Sequence, residues 1–207
     1  MIKSILKLGL CVAGLGVILA RPAVSATFDF STTLPKPIDM LQASSIKDGQ
    51  DGGQVRERIT VTDGVDSKFL SPWFETAYWE GGLGPEYTAV GKGASAAYEF
   101  SDLYSSVSFL WGSVDEKQQV RFFQGDEPVY VLNSDLLLKN GAPEKTGFVQ
   151  ITIFTQPFNR IEFYSQNNSF EFANLRVSAV PLPAALPLYA AGLLVLGLIG
   201  RFRKFAK

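Results

Sequence analysis

The sequence predicts an all-β ectodomain, an antiparallel β-sandwich or jelly roll, set between an N-terminal signal peptide and one C-terminal transmembrane helix. Three observations predict it. Apolar and polar residues alternate over many short runs, the period of a half-buried strand. Gly, Pro, Asn and Asp punctuate those runs, and no long stretch has helical periodicity. Uncharged apolar stretches lie near the two ends, each beside Lys or Arg.

At the N-terminus, Lys3 and Lys7 precede the apolar run Leu8–Ala20, and small residues follow at Val24, Ser25 and Ala26. These are the three parts of a secretory signal peptide over residues 1–26, with cleavage after Ala26. The run is too short for a spanning anchor. A lipoprotein signal around Cys11 is disfavoured, because Leu10 stands where a small residue belongs.

Residues 27–179 form the domain, large enough to bury a core without disulfides or metals. The predicted strands start with TFDFS at Thr27 and VRERITV at Val55, where Val55, Ile59 and Val61 share a face. They continue with FETAYW at Phe74, SAAYEF at Ser95, SVSFLW at Ser106, VRFF at Val120 and VYVL at Val129. FVQITIF presents Val149, Ile151 and Ile153 to one side, RIEFY presents Ile161 and Phe163, and FEFANLRVS closes the set from Phe170. Gly125-Asp126 between VRFFQ and VYVL reads as a hairpin turn. SDLLLKNG reads as one helical turn, capped by Ser134 and closed by Gly141.

Ala184–Gly200 carries no charge and, as a helix, would rise about 26 Å, at the low end of what spans the hydrocarbon core. Pro187 falls in its first turn, where a proline is accepted. Arg201, Arg203, Lys204 and Lys207 form the basic stop signal and keep residues 201–207 inside, leaving the domain outside. The apolar side chains favour insertion by only about 2 to 4 kcal/mol, a modest anchor.

Composition excludes much chemistry. The chain has no His, and its single Cys, Cys11, lies in the segment to be removed. Ser/His and Cys/His nucleophiles, Cys/His zinc sites and disulfides are therefore absent from the mature protein, and no cofactor is expected. The domain holds all 20 Asp and Glu but only 12 of the 19 Lys and Arg, a net charge of −8. Such a surface repels phosphate backbones, so nucleic acid is not a predicted partner.

The remaining candidates each have a plain structural reading. Asp48 with Asp51, Asp63 with Asp66, Asp115 with Glu116, and Asp126 with Glu127 place acids in loops, but none has the register of a local calcium loop. Acids beside glycine are ordinary turn chemistry, and no metal is expected. Trp73, Tyr78, Trp79, Tyr87, Tyr104 and Trp111 crowd one part of the chain, and strand alternation sends about half of such rings into a core. Trp79 and Tyr87, flanking GGLGPE, are the candidates for stacking on a sugar. Glu75, Glu80, Glu86 and Glu99 supply carboxylates, but no motif pairs them for hydrolysis, so no catalytic residue is assigned.

Val180-Pro181-Leu182-Pro183-Ala184, followed by the apolar segment and the basic tail, resembles the VPLPA variant of the PEP-CTERM sorting signal of Gram-negative bacteria, over residues 180–207. The resemblance implies transient anchoring in the inner membrane and processing by an exosortase-like membrane protease or transpeptidase. It implies a destination in the envelope, at the cell surface or in the extracellular matrix, with exopolysaccharide as a further partner. Pro181 and Pro183 oppose helix and sheet alike, which suits an extended segment that an active site can grip. Leu110–Leu137, with its LWGSVD box, and the closing RIEFYSQNNSFEFANLRVSAVPLPA are similar to a family of exosortase-dependent surface proteins. That family has an Asp where this chain has Ala173, before Asn174, and the similarity bears on fold and location alone.

Overall fold

The computed structural model describes residues 26–49, 52–61, 69–74, 76–80, 83–142 and 148–179. They form nine strands and one short helix: β1 (Thr27–Ser31), β2 (Ser45–Lys47), β3 (Val55–Val61), β4 (Leu83–Val90), β5 (Ser95–Gly112), β6 (Gln118–Gln124), β7 (Glu127–Asn133), α1 (Ser134–Lys139), β8 (Phe148–Ser165) and β9 (Phe170–Ala179). All strand pairs are antiparallel and belong to one sheet. Its main path runs β3-β4-β9-β5-β8-β6-β7, with β1 added to β8 and β2 added to β5. The all-β prediction holds. The predicted signal peptide, proline box, transmembrane helix 184–200 and basic tail lie outside the described residues, except Ala26.

The long pair β5 and β8 organises the molecule. Their register breaks between Glu99 and Tyr104 and again between Tyr104 and Ser106. Across the first break β5 has extra residues, and across the second β8 does, including Pro157, which could not donate to a regular ladder. These bulges turn the pair over on itself. Phe109 pairs with Ile151 while Phe163 pairs with Ala96, yet the Phe109 and Phe163 rings meet edge to face at 5.2 Å. A straight strand would put Ala96 and Phe109 about 43 Å apart. One sheet thus makes two facing layers, β2-β5-β8-β6-β7 and β3-β4-β9-β5-β8-β1.

The core between the layers is mostly aromatic. Phe163 stacks on Phe172 at 3.8 Å, Trp111 stacks on Phe170 at 4.3 Å, and Tyr98 meets both Phe163 and Phe172 edge on. These rings are fully or almost fully buried, and their stacked and T-shaped contacts add to the large area each removes from water.

Several sequence expectations change in detail. SAAYEF and SVSFLW are two halves of β5, and FVQITIF and RIEFY are two halves of β8. FETAYW forms no strand: Phe74, Thr76 and Trp79 donate backbone hydrogen bonds three residues back, to Ser71, Trp73 and Thr76, and so make consecutive turns. Helix α1 exists, but Ser134 does not cap it; the N-cap is Asn133, and the buried Ser134 hydroxyl accepts the Gln118 amide at 3.1 Å. The Gly125-Asp126 hairpin forms between β6 and β7, with Gly125 at φ 61°.

Candidate functional site

The bulged turn-over forms one pole of the domain, a ridge made by residues 100–106 and 154–158. The opposite pole gathers the β5–β6 corner, the β8–β9 corner and the loop before β5. A buried polar network ties the first two together. The Trp111 Nε1–H donates to Gln118 Oε1 at 2.8 Å, and the same oxygen accepts the Asp115 amide at 3.1 Å. Gln118 Nε2 donates to the Ser169 carbonyl at 2.6 Å and to the Ser113 carbonyl at 3.4 Å. Both ends of a fully buried carboxamide are therefore satisfied.

Glu171 sits beside this network, 1% exposed. The Ser113 hydroxyl donates to one of its carboxyl oxygens at 2.7 Å, and the Ser169 hydroxyl donates to the other. Burial pushes the carboxyl up to about 7, against the two hydroxyls, which favour the anion. Asn168 Nδ2 donates to the Asp115 carboxylate at 3.3 Å. Chemically the arrangement is a clamp: the carboxyl is closed off from solvent and holds the two corners together. The Trp, Ser and Asp of the LWGSVD box are all used in it, and Gly112 lets the strand pass Pro72, whose Cγ would lie 2.9 Å from an added Cβ.

Next to the clamp lies a shallow polar cleft lined by Lys47, Asp48, Lys92, Gly93, Tyr164, Gln166 and Asn167. Beside it, Gly49 and Gly53 pack closely on the backbone of the lining residue Lys92, since a Cβ on either would lie 2.1 or 2.0 Å from the Lys92 carbonyl oxygen. The Arg121 guanidinium covers one face of the Tyr164 ring at 4.1 Å while pairing with Glu162 at 3.1 Å. The cleft thus combines both charge signs, two carboxamides and a ring edge. Sequence reading missed it because its lining comes from three distant segments.

The residues singled out from sequence are scattered. Tyr87 is corrected from an exposed stacking candidate to a core residue: it is 0% exposed, on β4 opposite Ile59. Trp79 is half-buried, with its ring edge-on to Phe74 at 5.5 Å and close over Gly84. Glu86 is engaged by Arg58 through two bonds of 2.9 Å, which hold its carboxyl below the usual range. Glu80 and Glu99 are exposed, and Glu75 lies outside the described residues. Asp51, Asp63 and Asp66 also lie outside them; among the described residues no three acidic side chains converge on one point. Ala173 is buried, and Asn174 pins a neighbouring segment, its Oδ1 accepting the Ile38 amide at 2.8 Å and its Nδ2 donating to the Lys36 carbonyl at 2.7 Å. Val180 to Ala184 and the cations at 201, 203, 204 and 207 are outside the described residues.

No protein-family model matches the chain, and no curated protein matches it.

Proposed function

We propose that this chain is an exported, non-enzymatic envelope protein: a β-sandwich ectodomain delivered by the signal peptide of residues 1–26 and held by helix 184–200. An exosortase-like membrane protease or transpeptidase then processes it at Val180–Ala184. Its destination is the cell surface or extracellular matrix. The observation that carries this reading is that the described β-strands occupy the stretch between the two segments that the sequence reads as addresses, with strands from Thr27 to Ala179 among the described residues. A non-enzymatic role fits a chain without His whose single Cys lies in the predicted signal peptide.

Intact-mass measurement of protein released from cells tests the processing. The released form is expected to start at Thr27 and to lack everything beyond the proline box. Pro181→Ala with Pro183→Ala should leave the full-length form in the membrane; unchanged release from that double variant rejects the role of the proline box.

A glycan-binding role is a second reading, favoured by the cleft, whose Gln166 and Asn167 carboxamides suit sugar hydroxyls. Exopolysaccharide is the ligand that fits the proposed destination. Titration with host exopolysaccharide should shift amide signals of Tyr164 to Asn167; no shift at millimolar sugar removes this reading.

A further inference from the structure

Strand register shows where the two ends of the domain emerge. Thr27 pairs with Phe154, Phe154 with Ser106, and Ser106 with Ser178, so the first residue of β1 and the penultimate residue of β9 stand level in one layer. Three strand spacings separate them, about 14 Å. Successive antiparallel pairings give β1 and β9 opposite directions, so β1 starts at this level while β9 finishes there. Both ends therefore leave at the bulged ridge, and the clamp and cleft lie at the other pole. From Tyr104 to Gly112, β5 rises about 26 Å between the two.

We propose that the ridge is the lipid-facing surface of the anchored protein, resting on the headgroups while the Lys47–Asn167 cleft points away from the membrane. The proposal rests on the reading of 184–200 as a membrane helix. Residues 180–183 can span at most about 14 Å, and the headgroup layer takes about 6 Å of that. So short a tether keeps the ridge within about 8 Å of the lipid surface and cannot bring the far pole to it. The ridge is built for that contact: Leu103 is 42% exposed and Phe154 46% exposed, and Asp102 is the only charged residue in 100–106 and 154–158. The β6–β7 turn reaches the same pole with exposed Asp126 and Glu127.

The test uses residues 27–207, the form left after signal-peptide removal and free of cysteine, reconstituted into phosphatidylethanolamine–phosphatidylglycerol vesicles, with a fluorophore on Leu103→Cys or on Asn167→Cys. Both positions are exposed, and near-UV circular dichroism checks that each variant folds. A spin-labelled headgroup lipid is expected to quench the Leu103 probe severalfold more than the Asn167 probe. Equal quenching, or stronger quenching at Asn167, overturns the orientation. Flotation of the same vesicles separates the two layers of inference: protein that floats without a quenching difference sinks only the orientation, whereas protein that fails to float sinks the anchor and the orientation together.

Discussion

At Glu171 burial and two serine hydroxyls pull the carboxyl in opposite directions, and burial wins. Its pKa rises from 4.5 to about 7 on folding, so the folded chain holds this proton more tightly than the unfolded one. The associated stability is fully present below pH 4.5 and is lost as pH rises through 7, at a cost of about 3 kcal/mol once both states are ionised. Urea melts should therefore show a smaller unfolding free energy at pH 8 than at pH 5, and Glu171→Gln should remove that component; an unchanged slope in the variant would refute the assignment. Asn174 makes a second residue-scale prediction. It sits at φ 57°, a left-handed conformation that Asn tolerates, while its carboxamide holds the 36–38 segment. Asn174→Ala should cost about 2 to 4 kcal/mol, from two lost hydrogen bonds plus backbone strain. Asn174→Gly should cost measurably less, because glycine relieves the strain but not the lost bonds.

Among the elements, the seat of Gly49 and Gly53 against Lys92 depends on backbone contact that no side chain can enter. Gly53→Ala would drive its Cβ to 2.0 Å from the Lys92 carbonyl, so the Gly53 backbone must leave its seat against Lys92. Gly125→Ala meets nothing within 4 Å and carries only the cost of φ 61°, about 1 kcal/mol. Hydrogen exchange should show lost protection around residues 91–94 in the first variant and not in the second. These elements also show what sequence can and cannot reveal. Alternation makes β3 and the two halves of β8 legible because each has one face on the core, whereas β6, β7 and β9 are legible from their β-branched and aromatic residues, β9 being buried without a break from Phe170 to Leu175. The continuity of β5 and β8 is not legible, since Ser101-Asp102 and Pro157 read as breaks although they are bulges inside one strand pair. β4 is missed because Gly84-Pro85 resembles a loop, and its Tyr87–Val90 stretch is buried without alternating. FETAYW misleads through composition alone: its aromatic rings pack from turns. The clamp is invisible for a different reason. Ser113 and Glu171 lie far apart in the chain, and only the closure of two corners brings them together.

For the whole molecule, the consequence of placing both ends at one pole is that tether length governs how the domain is presented. In the proposed arrangement, the four residues between Ala179 and the predicted helix would hold the ridge near the lipid surface, and the proposed processing enzyme would have to reach the proline box from the side, through a gap of about 8 Å at most beyond the headgroups. Inserting a flexible Gly-Ser segment of about 10 residues between Ala179 and Val180 should decouple the two, because its root-mean-square span is about 17 Å and the domain can then rotate freely. Three things should follow as the insert grows: quenching of the Leu103 probe by headgroup spin label falls toward that of Asn167, flotation with vesicles is unchanged, and cleavage at the proline box persists or rises. Cleavage requires only the extended segment and the helix behind it, both of which the insert leaves intact. If quenching stays high with a long insert, the ridge binds lipid by its own affinity through Leu103 and Phe154. Leu103→Ser with Phe154→Ser in the long-insert chain would then abolish the quenching difference between a probe at Ser101→Cys and the one at Asn167→Cys, locating the attraction in those two side chains.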